Sequence, residues 1–402
     1  MSSIVQNYIH DMRGDITSFL YLPQDPVPPN IPLKINHILR HNHNLDRYIL
    51  NHPNGISDFQ LLSLMRMLQC DSGGCGGTTY ACPSCGEWLF IPFYCHSRVC
   101  SRCGKLYAAQ WGKALTERIL EVPHRHIIWT LPGPLWPLIG ENPAVYVNDM
   151  FQASKKVIER IFAEAFQKLS KLYVGMIAVV HFTGRDLKYN PHIHMLVTEG
   201  CITPDGEWHK CYYFPYKKLN SYWKYEVLTR LRLHSRDSLD KKSLIDAQFK
   251  RRFANNGENG YVVKNYRDVL DMKEFGSYLA RYVRHPPIGE SRILGYNGVT
   301  VTIKYEWDNK LFITDVSIEQ FISSIISNIP PKGFCEVRYY GMYSPSVYCL
   351  AKVSVSPCGF IQTELVLAYE HVVCCPKCHS KMYVIMIEYY QPALGVMKRV
   401  FK

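Results

Sequence analysis

The stretch KYNPHIHMLVTEG, residues 188 to 200, places two histidines in a segment that otherwise has the composition of a buried strand. Side chains alternate between the two faces of a strand, so His192 and His194 point one way while Ile193 and Met195 point the other. Two imidazoles on one face of a sheet form either a polar patch between strands or two ligands of one metal ion. The spacing alone leaves both interpretations open.

A third histidine ligand would favour the metal site. The segment GMIAVVHF (175–182) is predicted as a buried strand, and the short connection after it makes it an antiparallel neighbour of the histidine strand. His181 can then face His192 and His194 across the strand pair. An earlier predicted strand, HRHIIWTLP, contains His126, which is the alternative third ligand.

Composition limits the class of protein. A chain of 402 residues with 47% hydrophobic residues can form two to four packed domains, which excludes wholesale disorder. The net charge of +12 suggests a polyanionic partner, most simply nucleic acid. The N-terminus has no secretory pattern, and the longest apolar stretch, near residues 173–182, is too short to span a bilayer. We therefore expect a cytoplasmic protein without a membrane partner.

Ten of the fifteen cysteines fall in two clusters, seven between Cys70 and Cys103 and three between Cys374 and Cys378, which in a cytoplasmic chain indicates metal binding rather than disulfides. Cys82-Pro-Ser-Cys85 and Cys100-Ser-Arg-Cys103 are two CxxC motifs separated by fourteen residues. This spacing is close to that of a zinc ribbon. It predicts one structural zinc ion bound by all four thiolates.

Further cysteines and basic residues surround these motifs. A second zinc site in the same module has as candidate ligands Cys70, Cys75, Cys95 and His96. Near the end of the chain, Cys375 and Cys378 form another candidate cluster. Basic side chains alternate with the ligands and are predicted to contact DNA phosphates, namely Arg98, Arg102 and Lys105.

The segment SYLARYVRH contains a pair of candidate nucleophiles. Tyr278 and Tyr282 are four residues apart, so on a helix they share one face, with Arg281 and Arg284 beside them as candidate DNA contacts. In a chain with 28 tyrosines, the alternative is an aromatic core stripe. Together with a histidine-bound cation, the pair instead favours phosphodiester cleavage, in which a tyrosine oxygen attacks phosphorus and a 3′-hydroxyl leaves. The product is a 5′-phosphotyrosine.

The order of these motifs resembles the HUH superfamily of single-strand endonucleases, named for its His-hydrophobic-His motif. More narrowly, the chain resembles the two-tyrosine rolling-circle transposases of bacterial insertion sequences. YACPSCG and CHSRVCSRCGKLYAAQWGKAL are similar to that family's N-terminal zinc-binding domain. The later motifs are similar to HIIWTLP, VVHFTGRDLKYNPHIHMLV, YLARYVRHPPIGESRI, PPKGFCEVRYYG and the closing CPKCHSKM. The chain departs from the family at Asn190, where a histidine is common.

The resemblance implies an α/β (α+β) fold. We expect an antiparallel-sheet HUH nuclease core with helices on one face, a zinc-binding module before it and a small strand-rich C-terminal region after it. The predicted boundaries are an N-terminal region 1–60, a zinc-binding domain 61–122, a catalytic domain 123–288 and a C-terminal region 289–402.

The resemblance also implies the function. His192 and His194 would hold Mg²⁺ or Mn²⁺, Tyr278 and Tyr282 would act as nucleophiles, and one or two zinc ions would be structural. The expected partner is single-stranded DNA at transposon ends, with a hairpin or specific flanking sequence, in the bacterial nucleoid; an oligomer is compatible with this role. The alternatives are an HUH replication initiator or relaxase, and a non-catalytic zinc-finger DNA-binding protein.

Overall fold

The computed structural model describes residues 5–6, 27, 33–70, 74–211, 213–250, 263–266, 287–307, 309–355, 372–391 and 396–401, and every structural statement below concerns these residues. They form a mixed α/β structure in which the strand pairs are antiparallel. The predicted fold class is confirmed.

The described residues contain the following helices and strands. The helices are α1 (Ile35–Arg40), α2 (Asn44–Asn51), α3 (Asp58–Leu68), α4 (Ser101–Arg118), α5 (Trp136–Glu141), α6 (Pro143–Ala165), α7 (Tyr216–His234), α8 (Leu239–Lys250), α9 (Ile318–Ser327) and α10 (Tyr348–Val355). The strands are β1 (Gly76–Ala81), β2 (Trp88–Pro92), β3 (His124–Thr130), β4 (Tyr173–Thr183), β5 (Tyr189–Ile202), β6 (Trp208–Lys210), β7 (Val263–Tyr266), β8 (Ile293–Tyr296), β9 (Thr300–Trp307), β10 (Lys310–Ser317), β11 (Val337–Tyr340), β12 (Tyr383–Gln391) and β13 (Val396–Phe401).

The central sheet has the strand order β11-β4-β5-β3-β7, and β6 pairs with the end of β5. On one face, Trp129, Ile193 and Met195 are fully buried in a core shared with helices α6 and α7. The alternation of side chains along β5 therefore turns His192 and His194 toward the opposite face, away from this helical layer. The burial of the apolar face fixes the register of β5, because a slip of one residue would turn the histidines into the apolar core beneath α6 and α7.

The opposite face of the same sheet is only partly covered by apolar residues. Ile177 and Leu196 pack there against Leu115 of α4 and Ala351 of α10. The histidines lie further along the same strands, beyond this apolar contact. The sheet thus presents its polar histidine patch next to a packed region that holds the strands in place.

The two ends of the chain contribute to shared structures. A core that includes Ile38 of α1, Leu64 of α3, Val301 of β9 and Phe321 of α9 joins the N-terminal helices to the sheet of order β10-β9-β8. A separate sheet has the order β13-β12-β1-β2, so strands from the end of the chain extend the hairpin of the zinc-binding module. These contacts cross the predicted domain boundaries, which stay a prediction. In the part of the chain that the structure describes, no helix is long and apolar enough to cross a membrane.

Candidate active site and cysteine clusters

Three histidines converge on the polar face of the central sheet. His181 on β4 lies directly opposite His192 on β5, and their ring centroids are 5.2 Å apart. The ring of His194 lies 5.0 Å from that of His192 and 6.2 Å from that of His181. One nitrogen of each ring lies within 4.8 Å of the others. The three residues predicted as metal ligands are therefore brought together in a geometry that can hold one cation.

Hydrogen bonds to the rings select the nitrogens that can bind a cation. Nδ1 of His192 lies 2.6 Å from the carbonyl oxygen of Asn190, to which it donates, so Nε2 is left as the ligand atom. Nδ1 of His194 lies 3.0 Å from Nε2 of His126. If His194 binds a cation through Nε2, its Nδ1–H donates to His126, which is the usual way in which a metal-bound imidazole is oriented.

His126 contacts one of the candidate ligands but lies outside their cluster. His126 stacks on His194 with an interplanar angle of 11°, and it is not one of the three clustered histidines. Its interpretation as the alternative third ligand is therefore wrong in this structure. His126 instead lies in a position to orient the ring of His194, and His181 provides the third imidazole of the cluster.

The electrostatics of the site favour neutral imidazoles. Burial lowers the pKa of His192, and burial together with the nearby imidazoles of His192 and His126 lowers the pKa of His194 well below its ordinary value. Burial also lowers the pKa of His126 to about 4. Because a histidine must be unprotonated to bind a metal, these shifts keep the site ready for a cation at neutral pH.

The candidate nucleophiles fall outside the described residues. Tyr278 and Tyr282, with Arg281 and Arg284, lie in the segment 267–286. Their predicted helix and its position relative to the histidines stay predictions from the sequence.

Among the described residues, eight cysteines form two groups of four, and neither group is the predicted ribbon. The first group contains Cys70, Cys95, Cys100 and Cys103, all buried. The second contains Cys82, Cys85, Cys375 and Cys378. The expectation that the two neighbouring CxxC motifs share one ion is therefore wrong, because the chain between them carries the second motif onto helix α4 and away from the first.

The first group has the dimensions of a zinc site. The Cys103 sulfur lies 3.6 Å from that of Cys70 and 3.5 Å from that of Cys95. Two thiolates bound to tetrahedral zinc are about 3.8 Å apart at a Zn–S distance of about 2.3 Å. The backbone N–H of Ser97 donates to the Cys95 sulfur at 3.3 Å, as expected of an amide that stabilises a metal-bound thiolate.

The thiols of this group have pKa values shifted in opposite directions. Hydrogen bonds from Cys100 and Cys95 lower the pKa of the Cys70 thiol to about 2. Hydrogen bonding with Cys100 and Cys70, together with burial, raises the pKa of Cys95. A thiolate surrounded by hydrogen-bonding thiols is the metal-free counterpart of a cation site.

Two predicted zinc ligands are not part of either group. The Cys75 thiol donates to the carbonyl oxygen of Arg66 at 3.6 Å, and burial raises its pKa. His96 is exposed, and its ring lies against that of Tyr94. Their inclusion among the zinc ligands is therefore wrong in this structure, where Cys70 and Cys95 take partners from the second CxxC motif instead.

The predicted phosphate contacts differ in accessibility. Arg98 is buried, with 7% of its side chain exposed, and it forms an ion pair with Glu336 beside β11. Its prediction as a DNA contact is therefore wrong, since a buried, paired guanidinium has no access to phosphate. Arg102 and Lys105 are exposed on the first turns of α4, and the Arg102 guanidinium lies 4.7 Å from the centre of the Tyr94 ring. These two remain candidates for DNA contact.

Comparisons with known proteins agree with this arrangement. A family model described as "Transposase zinc-binding domain" matches residues 40–131, and one described as "Putative transposase" matches residues 175–349. Together these matches support an IS91-family transposase with an N-terminal zinc-binding domain. The second match contains all three clustered histidines, and the first contains all four cysteines of the buried group. The zinc-binding domain and the cysteine groups together support structural zinc in this transposase.

Two relatives extend the match over most of the transposase. "Transposase for insertion sequence element IS801" of Pseudomonas savastanoi pv. phaseolicola is 27% identical over 318 residues, which cover 75% of this chain and 76% of the relative. "Putative transposase y4qJ" of Sinorhizobium fredii is 26% identical over 285 residues, which cover 68% of this chain and 71% of the relative. No solved structure matches the chain.

The spacing of the CxxC motifs did not predict which cysteine pairs share a site. The sequence nevertheless contains a signal for this pairing. Both motifs of the second group read Cys-Pro-x-Cys, at 82–85 and at 375–378, whereas Cys100-Ser-Arg-Cys103 has no proline. Similarity between motifs would have indicated the partners better than their separation did.

Proposed function

We propose that this transposase cleaves and rejoins single-stranded DNA at the ends of an insertion sequence, through a 5′-phosphotyrosine, at the site formed by His181, His192 and His194. The observation that carries the proposal is the convergence of these three imidazoles, each from a position fixed by strand pairing. A histidine patch with a purely structural role would not require the nitrogens of three neutral rings to converge.

The donor set fits a divalent cation. Three neutral imidazoles bind transition metals such as Mn²⁺ more readily than Mg²⁺, which prefers oxygen ligands. His181, His192 and His194 would hold the ion, while Asn190 and His126 would keep two of the rings in the binding tautomer. When bound, such an ion polarises the scissile phosphodiester and lowers the charge that a nucleophile must approach.

The tyrosines supply the nucleophiles in this proposal. The oxygen of Tyr278 or Tyr282 forms a bond to phosphorus, the bond from phosphorus to the 3′ oxygen breaks, and the phenol proton ends on the 3′-hydroxyl side or in solvent. Because the phosphotyrosine keeps the energy of the original ester, a later 3′-hydroxyl can reverse the step and rejoin DNA without ATP. Arg281 and Arg284 would neutralise phosphates beside the tyrosines.

The remaining features agree with a DNA substrate. The chain carries 46 basic against 34 acidic residues. Exposed Arg102 lies over the Tyr94 ring and Lys105 is exposed on the same helix, a combination of charge and aromatic surface that suits single-stranded DNA. A replication initiator or relaxase would share the chemistry, but the transposase relatives favour action at element ends. A non-catalytic zinc-finger protein would leave the converging histidines without a role.

The test is formation of a covalent adduct. The purified transposase is incubated with labelled single-stranded oligonucleotides from the ends of its own element, with Mn²⁺ or Mg²⁺, and analysed on a denaturing gel. We expect a labelled band at the mass of protein plus DNA, dependent on the ion and absent with EDTA. A scrambled oligonucleotide and the duplex form serve as controls. Cleavage without any covalent band would contradict the phosphotyrosine.

A further inference from the structure

The second cysteine group joins an N-terminal CxxC motif, residues 82–85, to a C-terminal one, residues 375–378. The Cys82 sulfur lies 3.4 Å from that of Cys378, and the Cys85 sulfur lies 3.5 Å from that of Cys375. The two contacts therefore join cysteines that are separated by 296 and by 290 positions in the sequence. These distances are too long for disulfides, whose sulfurs are about 2.05 Å apart, but close to the roughly 3.8 Å between thiolates on tetrahedral zinc.

The two Cys-Pro-x-Cys motifs have the same backbone geometry. The N–H of Cys82 donates to the carbonyl of Glu87, and the N–H of Gly86 donates to the carbonyl of Cys82. The second motif repeats both bonds at the corresponding positions, Cys375 to Ser380 and His379 to Cys375. The residue after the second cysteine has a positive φ in each case, 71° at Gly86 and 60° at His379.

Strand pairing aligns the two motifs. β1 pairs with β12, and the last pair of residues in that register is Ala81 with Tyr383. Cys82 follows Ala81 directly, and the C-terminal motif ends shortly before Tyr383, so both motifs lie at the same end of the sheet. Cys82 and Cys375 are buried there beneath Met382, with Tyr80 and Leu89 packed beside them.

We infer that Cys82, Cys85, Cys375 and Cys378 bind a second structural zinc ion, which closes a zinc ribbon built from the two ends of the chain. Four thiolates in two matching turns form a closed, soft-ligand site suited to zinc. The C-terminal motif lies outside both regions that match transposase families, so it adds a ligand pair from a distant segment to the N-terminal module. This inference is independent of the cleavage chemistry proposed above.

Zinc content of the full-length protein tests the site, and Cys374 provides a matched control. Cys374 is adjacent to Cys375 in the chain, is exposed, and is not in either sulfur group among the described residues. We expect wild type and Cys374→Ser to contain about two zinc ions per chain and Cys375→Ser or Cys378→Ser about one. Cys378→His, which restores a zinc ligand, should return the content toward two.

Release kinetics supply a second readout that does not depend on activity. Cys378 is exposed, whereas all four cysteines of the other group are buried, so a chromogenic chelator should remove the two ions in two phases. The fast phase should be missing in Cys378→Ser, with the slow phase unchanged. Two ions retained in Cys378→Ser, an equal loss in Cys374→Ser, or disulfides joining Cys82 to Cys378 in protein purified under reducing conditions would each overturn the inference.

Discussion

Nε2 of His126 lies 3.0 Å from Nδ1 of His194, and the two rings stack nearly parallel, at 11°. His126 belongs to β3, where its partner in the strand register is Leu196, two residues beyond His194 on β5. The contact therefore runs diagonally across the strand pair. It can fix the orientation of one candidate ligand from a neighbouring strand, so we propose that His126 is a positioning residue of the candidate site.

Removal of this contact should weaken cation binding rather than abolish the chemistry. We expect His126→Leu to need about 10- to 100-fold more divalent ion for half-maximal adduct formation, with a near-normal rate at saturating ion, because the ligand itself remains. His126→Gln, which keeps a hydrogen-bonding side chain, should shift less. A rate deficit that excess ion does not recover would argue that His126 has a role beyond positioning.

Loss of a ligand should instead abolish cleavage. We predict that His192→Ala and His194→Ala form no adduct at any practical ion concentration, while binding of the DNA end survives, since we expect the zinc-binding module and the basic surface to supply most of the affinity. His52→Ala, at a partly exposed histidine on the N-terminal helices, is the control. Parallel losses of binding and cleavage would indicate that the two histidines are structural.

We predict that the two tyrosines act on different DNA ends. If one tyrosine holds the first cleaved end while the other cleaves a second, each single Tyr278→Phe or Tyr282→Phe variant should still form some adduct but fail in complete transposition. The double variant should form none. Phenylalanine keeps the ring and removes only the hydroxyl, so packing is preserved. Normal transposition by Tyr278→Phe, or adduct formation by the double variant, would exclude the paired mechanism.

The grouping of the cysteines can be tested by combining substitutions. Cys103→Ser should release the zinc of the buried group and weaken DNA binding and solubility, because the ligands hold α3 and α4 together. If the groups are as the structure has them, Cys82→Ser with Cys378→Ser leaves about one zinc ion and Cys82→Ser with Cys103→Ser leaves about none. The sequence-based ribbon predicts a different result, because Cys82 and Cys103 would bind the same ion and their double substitution would cost a single ion.

A buried histidine outside the active site predicts acid sensitivity. Nε2 of His124 lies 2.6 Å from the hydroxyl of Tyr343, and burial lowers the pKa of His124 to about 4 from 6.5. Above pH 6.5 the ring is neutral in both folded and unfolded chains, so its full contribution to stability is present. As the pH falls from 6.5 toward 4, only the unfolded chain gains the proton, and stability is lost, on the order of 3 kcal/mol by pH 4.

The measurement compares urea-unfolding midpoints of wild type and His124→Gln between pH 7.5 and pH 4. The other buried histidines contribute to both proteins, so the difference isolates His124. The stability of wild type should fall more steeply with acid than that of the variant. Equal pH dependence would show that His124 is protonated in the folded protein.

The sequence by itself determined the chemical groups and their local geometry. Alternation along residues 188–200 was enough to put His192 and His194 on one face, because a strand has no other periodicity. The cross-strand position of His181 also followed from the sequence, since a short connection leaves antiparallel pairing as the simplest arrangement.

Only the tertiary structure decided which distant groups meet. CxxC spacing fixes two ligands of an ion but carries no information about the other two, and here the partner of Cys82 lies 296 residues away because β12 pairs with β1. The burial of Arg98 depends in the same way on Glu336, and the role of His126 depends on its diagonal contact with His194. Local patterns specify what a segment can do, whereas the packing of apolar faces selects the neighbours with which it does so.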